Sequence, residues 1–187
     1  GADVVFDVKC TRELNGLISN YGGRPIMWKS GHSHIKAKMQ ETGALLGGEQ
    51  SGHIFIKDRW YGFDDGMYAA ARLLEIMTLR DQDIETLFES FPTLPATPEL
   101  KIPVPDSEKF NLIAQLVQQG EFRNGKATTI DGLRVDFARG WGLVRASNTS
   151  AALTLRFEGE EQDIITQMQA LFKRELLKID SSLQIPF

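Results

Sequence analysis

The rhythm of apolar and polar positions changes partway along the chain. In the first half, short apolar runs alternate with stretches whose apolar residues recur every three or four positions. Val4, Val5 and Phe6 form a run suited to a buried strand. Thr11 is then placed to cap a helix that carries Leu14, Leu17 and Ile18 on one face, and Gly22-Gly23 stop it. Pro25 to Trp28 predicts a second strand. A second helix follows Ser30-Gly31-His32, with Ile35 and Met39 inward and Thr42-Gly43 ending it. Residues 44–46 and 53–56 predict two further strands, and residues 64–79 a long helix. In the second half, one helix over 108–118 precedes short strands of strict alternation. Leu133, Val135 and Phe137 point one way, with Arg134 and Asp136 opposite. Leu153, Leu155 and Phe157 repeat the pattern, with Thr154 and Arg156 opposite. A last helix buries Ile165, Met168, Phe172 and Leu176.

These two patterns predict different domains. Residues 1–91 predict an α/β domain with a mostly parallel mixed sheet covered by helices. Residues 106–187 predict an α+β domain, an antiparallel sheet with helices on one face. Five of the seven prolines fall within residues 92–105. Proline fixes φ and removes a donor, so this stretch is expected to be extended, only partly built into a sheet, and a joint about which one half swings as a unit.

Composition narrows the function classes. The chain of 187 residues is 42% hydrophobic and 25% charged, ordinary for a globular protein. A formal charge of −4 argues against a nucleic-acid binder that works by bulk electrostatics, while a local basic cluster could still hold a small anion. A single cysteine, Cys10, excludes an intramolecular disulfide and fits a reducing compartment. No apolar run approaches the roughly 20 residues of a membrane span, so the expected address is the cytoplasm. Gly-Ala-Asp leads straight into the first strand without an initiator Met, which a processed terminus or an excised piece of a longer chain explains equally.

Candidate chemistry lies in three loops at strand ends, where open sheets place their ligands. WKSGHS (28–33) opens a helix and offers free N–H groups, with Lys29 and His32 beside them. It reads either as an anion site or as a helix cap made by Ser30 or Ser33. GGEQSGHIFIKD (47–58) crowds hydrogen-bonding side chains among Gly47, Gly48 and Gly52, which permit sharp turns. There Glu49 can accept two hydroxyl hydrogen bonds, as sugars with vicinal hydroxyls are gripped, and Ser51 can donate or accept. His53 begins a strand, so its ring direction is fixed as proton transfer needs. A plain polar hairpin is the alternative. In the third loop a strand ends in Arg145, and Ser147, Asn148, Thr149 and Ser150 form a turn. An arginine fork with four small hydrogen bonders suits a tetrahedral dianion. Arg156, on the polar face of its strand, reads as a support or surface residue. His34 reads as a solvated helix residue and Cys10 as a packed thiol. Asp64 and Asp65 are explained by capping the helix they open rather than by a metal.

Together WKSGHS, GEQSGHIFIKDRWYGFDDG, GWGLVRASNTS and KIDSSLQIPF resemble the C-terminal half of bacterial phosphomannomutase/phosphoglucomutase, in the α-D-phosphohexomutase superfamily, almost end to end. The resemblance implies most of domain three (1–91), a hinge (92–105) and domain four (106–187), the last of TATA-box-binding-protein-like fold. It implies interconversion of mannose or glucose 1-phosphate and 6-phosphate through a 1,6-bisphosphate, with a donor phosphoserine in domain one. It also implies Mg²⁺ held by an aspartate triad upstream of residue 1, and no metal ligand in this chain. Carried over by motif, Glu49 and Ser51 bind sugar hydroxyls, and Lys9, Ser30, Gly31 and His32 line the same cleft. His53 is the candidate acid/base group, and Arg145, Ser147, Asn148 and Thr149 grip the phosphate that is not being transferred. The partners implied are a phosphosugar and the N-terminal domains of the same enzyme, in a monomer without nucleic acid or membrane. Ser30 stands where relatives often have Thr, and Gln50 where Met is frequent.

The nearest competitor within the superfamily, phosphoglucosamine mutase, has a phosphate loop more like SGTEP, whereas this chain has SNTS. A non-catalytic sugar-phosphate-binding module is the alternative from another class. The upstream serine loop and aspartate triad are absent from residues 1–187, so the isolated chain is expected to bind sugar phosphate weakly and to catalyse nothing.

Overall fold

The alternating apolar runs of the first half become β1 (Asp3–Asp7), α1 (Glu13–Asn20), β2 (Arg24–Trp28), α2 (His32–Thr42), β3 (Leu46–Gly48), β4 (Ile54–Ile56), α3 (Gly66–Arg80) and α4 (Ile84–Glu89). The second half forms β5 (Leu100–Pro103), α5 (Lys109–Gln119), β6 (Lys126–Thr128), β7 (Leu133–Phe137), β8 (Gly140–Ala146), β9 (Ala152–Gly159) and α6 (Gln162–Ile179). The computed structural model describes residues 1–187 and divides into two units, Gly1–Thr93 and Leu94–Phe187. Both are of the expected class, a mixed sheet with helices and then an antiparallel sheet with helices. No helix is long and apolar enough to cross a membrane.

In the first unit the strand order is β2-β1-β3-β4. β1 pairs in parallel with β2 and β3, and β3 pairs antiparallel with β4. The chain thus leaves β1 toward one side and returns to its other side. Such a switch point opens a crevice at the carboxyl ends of the strands. Ile35 and Met39, one turn apart on α2, close the core over Val5, Ala44 and Phe55.

Three local expectations shift. Arg12, not Thr11, holds the cap position of α1, although the Thr11 hydroxyl accepts the Glu13 N–H at 3.3 Å. The third strand begins at Leu46 rather than Ala44, so Gly47 and Gly48 are strand residues rather than turn residues. Gly47 serves packing: a Cβ there would lie 2.5 Å from Met39 Sδ and 2.9 Å from Ile35 Cγ2, so only glycine lets α2 come this close. Finally, α4 was not foreseen; Asp83 caps it by accepting the Thr86 N–H at 2.8 Å.

The second unit is a five-stranded antiparallel sheet of order β5-β9-β8-β7-β6. Leu133, Val135, Leu153, Leu155 and Phe157 share one core with Ile165, Met168, Phe172 and Leu176 of α6. The opposite face departs from the solvated one that alternation predicts. Arg134 is fully buried, with its guanidinium 3.9 Å from the centre of the Trp141 ring and hydrogen-bonded to Asp136 at 3.0–3.3 Å. A planar, weakly hydrated cation that stacks and pairs at once can be buried where a lysine could not.

The proline-rich stretch, expected to be extended and partly built into a sheet, runs along the edge of this one. Gly159 donates its N–H to the Pro95 carbonyl, Thr97 to that of Phe157, and Val104 to that of Ala151, with β5 between them on β9. An edge strand pairs on one side only, and that is where a sheet tolerates proline.

Candidate functional site

In the first unit the sequence-derived residues collect around one they did not include. Asp7 ends β1 with its carboxylate fully buried. Its Oδ1 accepts the Cys10 thiol at 3.1 Å and the Gln50 N–H at 3.2 Å. Its Oδ2 accepts the Ser30 hydroxyl at 2.9 Å and lies 3.8 Å from Lys9 Nζ. One carboxylate thereby ties together the loops after β1, β2 and β3. The available signal was an acid at the end of an otherwise apolar run, FDVK, which can be buried only if it is satisfied.

Glu49 leaves β3 and turns inward, 9% exposed. Its Oε2 accepts the Gly31 N–H at 2.8 Å and faces the Ser30 hydroxyl at 3.5 Å. Gly31 has φ 121°, a backbone region that side chains disfavour, and this turn aims its N–H across the crevice. The other oxygen, Oε1, is buried with no partner. In the WKSGHS loop no serine caps α2, and Glu49 takes up the Gly31 donor. His32 is exposed on the first turn of α2, and Ser51 is exposed at the tip of the Glu49 loop. That loop is closed by Glu49 N–H to His53 carbonyl (2.9 Å) and Gly52 N–H to Glu49 carbonyl (3.0 Å).

His53 has a different neighbour from the rest. Its Nδ1 lies 2.7 Å from Asp64 Oδ2, both side chains partly exposed. Asp64 is thus not a helix cap; Asp65 alone caps α3, accepting the Tyr68 N–H at 2.9 Å. An ionised carboxylate can only accept, so the Nδ1–H tautomer is favoured and Nε2 is left as the basic nitrogen.

In the second unit Arg145 is the next-to-last residue of β8, 6% exposed. Its Nε donates to Asp131 Oδ2 at 3.0 Å, while Nη2 is buried without a partner. Ser147 sits within the turn rather than on its surface. Its Oγ accepts the N–H groups of Thr149 (3.3 Å) and Ser150 (3.1 Å) and the Ser150 hydroxyl (2.8 Å). Asn148 and Thr149 are exposed at the tip. Beneath the turn, buried Lys109 donates to the carbonyls of Ser147 (2.6 Å) and Ser150 (3.3 Å). Sequence reasoning missed Asp131 and Lys109; they lie 14 and 38 residues from their partners, and only the sheet and α5 bring them close.

Arg156 is only partly exposed, and its Nε is buried without a partner. No group of three or more His, Cys, Asp or Glu side chains converges as a metal site. What the two loops can do is complementary: the first offers a buried carboxylate acceptor, the second a guanidinium donor beside small hydroxyls and amides.

Comparison with known proteins gives a consistent result. The family model "Phosphoglucomutase/phosphomannomutase, alpha/beta/alpha domain III" matches residues 1–94, and the C-terminal domain model of the same enzymes matches residues 99–175. A phosphomannomutase/phosphoglucomutase of Pseudomonas aeruginosa is 54% identical over 187 residues. A phosphoglucomutase of Neisseria gonorrhoeae is 51% identical over 175 residues, 92% of this chain and 38% of that protein. The chain spans 40% of the length of the Pseudomonas relatives. A crystal structure of a phosphoglucomutase/phosphomannomutase family protein from Burkholderia thailandensis superposes with a TM-score of 0.93 at 45% identity, covering 100% of this chain and 40% of that one.

Proposed function

The chain belongs to the phosphoglucomutase/phosphomannomutase family, and from that premise we propose that it supplies the sugar-hydroxyl and phosphate recognition of a phosphohexomutase. The reaction is interconversion of mannose or glucose 1-phosphate with the 6-phosphate through a 1,6-bisphosphate. One observation carries the reading: each loop retains a buried polar atom without a partner, and the two are of opposite chemistry. Glu49 Oε1 is an acceptor and Arg145 Nη2 a donor. An unmet buried polar group costs about 1–3 kcal/mol, a cost that persists where a ligand completes the bond.

In this reading Glu49 Oε1 accepts a sugar hydroxyl, with Ser51 beside it on the loop and Lys9, Ser30 and Gly31 holding the crevice in shape. Arg145 turns its free guanidinium edge to the phosphate that is not being transferred, and Asn148 and Thr149 contribute from the tip. Remote binding of that phosphate positions the sugar for attack. His53, as its Nδ1–H tautomer, takes the proton from the attacking sugar hydroxyl at Nε2. The donor serine belongs to polypeptide outside residues 1–187. So does Mg²⁺, which would stabilise charge on the transferred group. We further propose a monomer at work in the cytoplasm.

The test is a crossed pair of substitutions in the full-length enzyme. Arg145→Ala is expected to raise KM for both the 1- and the 6-phosphosugar about tenfold or more, the loss of one charge-assisted hydrogen bond. Glu49→Gln should weaken phosphosugar binding similarly while leaving the affinity for inorganic phosphate unchanged. Unaltered KM for both substrates in Arg145→Ala would remove the phosphate role.

A further inference from the structure

Lys109 is 4% exposed, on the first turn of α5, in a unit whose other buried cations are Arg134, stacked and paired, and Arg145, paired through Nε with Asp131. An ammonium has three N–H donors, and each has an acceptor here. The Ser147 carbonyl lies at 2.6 Å, the Ser150 carbonyl at 3.3 Å and Asp106 Oδ1 at 2.6 Å. Asp106 is exposed, so the carboxylate reaches Lys109 from the solvent side and the two carbonyls from the loop.

The orientation of those carbonyls decides what the loop presents. In a trans peptide the C=O of one residue and the N–H of the next lie in one plane and point in opposite directions. With the Ser147 and Ser150 carbonyls drawn down to Lys109, the N–H groups of Asn148 and Ala151 are directed away from it. Neither N–H has a hydrogen-bond acceptor in the protein, and both residues are exposed. The donors between them, Thr149 and Ser150 N–H, are folded onto the Ser147 hydroxyl. The loop therefore has an inner side that is satisfied and an outer side that offers amides. Arg145, with Nη2 unpartnered, lies two residues before Ser147.

We propose that Lys109 is the positioning residue of this anion-binding loop: it pins the Ser147 and Ser150 carbonyls from beneath, directs the Asn148 and Ala151 N–H groups outward as phosphate donors, and places a buried positive charge behind them. This rests on the reading of residues 145–150 as the phosphate site. Lys109 does not touch the phosphate; it acts through the backbone of the loop.

The experiment uses the full-length enzyme, with glucose 1-phosphate as substrate and inorganic phosphate as the binding probe. In the unaltered protein, phosphate should shift the amide resonances of Asn148 and Ala151. Lys109→Met is expected to abolish those shifts and raise KM about tenfold, with a smaller change in kcat, the loss of charged hydrogen bonds that orient the donors. Lys109→Arg should recover part of both effects, which a lysine needed only for stability would not require. Should the Met variant not fold, Lys109→Gln keeps a donor without the charge and is read by the same two measurements. Phosphate-induced shifts and KM both within twofold of the unaltered enzyme in the Met or Gln variant would overturn the role of Lys109 if Arg145→Ala still raises KM. If Arg145→Ala also leaves KM unchanged and phosphate shifts no loop amide, the phosphate site itself is overturned, and with it this proposal.

Discussion

Asp64 and Asp65 stand side by side in FDDG and have unrelated tasks. Both look like helix-opening acids in sequence, because a carboxylate before an apolar helix satisfies free N–H groups. Only Asp65 does so; Asp64 turns to His53, eleven residues earlier, at 2.7 Å. β4 and the turn after it bring the two together, with Phe55 and Asp64 bridged backbone to backbone. If Asp64 holds the His53 tautomer, Asp64→Asn should lower kcat at least tenfold with little change in KM, because the amide can present a donor to Nδ1 and favour the wrong tautomer. Equal kcat in steady-state assays of the full-length variant would show that His53 needs no such partner. Glu49 is the opposite case. That Glu49 can accept hydrogen bonds was legible from the residue type; that it is buried was not. That Gly31, 18 residues away, engages one of its oxygens and leaves the other open was not, since no local pattern encodes that contact.

Helix and strand identities followed from periodicity in the longer elements that bury one face. Ile165, Met168, Phe172 and Leu176 of α6 all lie in the core. The pattern misled where both faces are buried, as on β7 and β8, because Arg134 and Trp141 satisfy one another out of reach of water. At residues 92–105 the extended, partly sheet-built course expected from the prolines takes the form of an edge strand over Leu100–Pro103. At the start of α3, the Tyr68 backbone N–H holds the Asp65 carboxyl below its ordinary value of 3.8; desolvation opposes this, and the Trp60 indole N–H adds to it. A depressed carboxyl contributes its stabilisation above the ordinary value and loses it as pH falls through the lower folded value. Acid titration followed by far-ultraviolet circular dichroism should therefore show a helical loss below about pH 4. Asp65→Asn, which still caps but cannot titrate, should reduce that loss. An identical acid profile in the variant would mean that the cap does not govern α3.

As a whole, the chain carries the proposed recognition groups on two units, each with its own hydrophobic core. The phosphoryl-donor serine and the aspartate triad that the family resemblance implies have no counterpart in residues 1–187. The 187-residue chain alone is accordingly expected to show no mutase turnover while retaining weak binding of glucose 1-phosphate, measurable by calorimetry. Turnover above background by the purified chain would require a phosphoryl donor within it. Sequence by itself determined the two-part architecture and the class of each sheet, because hydrophobic period, glycine and proline act over a few residues. Tertiary structure alone decided which atoms remain available. Asp7, Lys109, Asp131 and Asp64 each satisfy a neighbour distant in sequence, and what they leave unsatisfied, Glu49 Oε1, Arg145 Nη2 and the N–H groups of Asn148 and Ala151, is fixed by which strands pair and which carbonyls face inward. Buried polar groups must be paired, and pairing is a property of the folded contact set rather than of any stretch of chain.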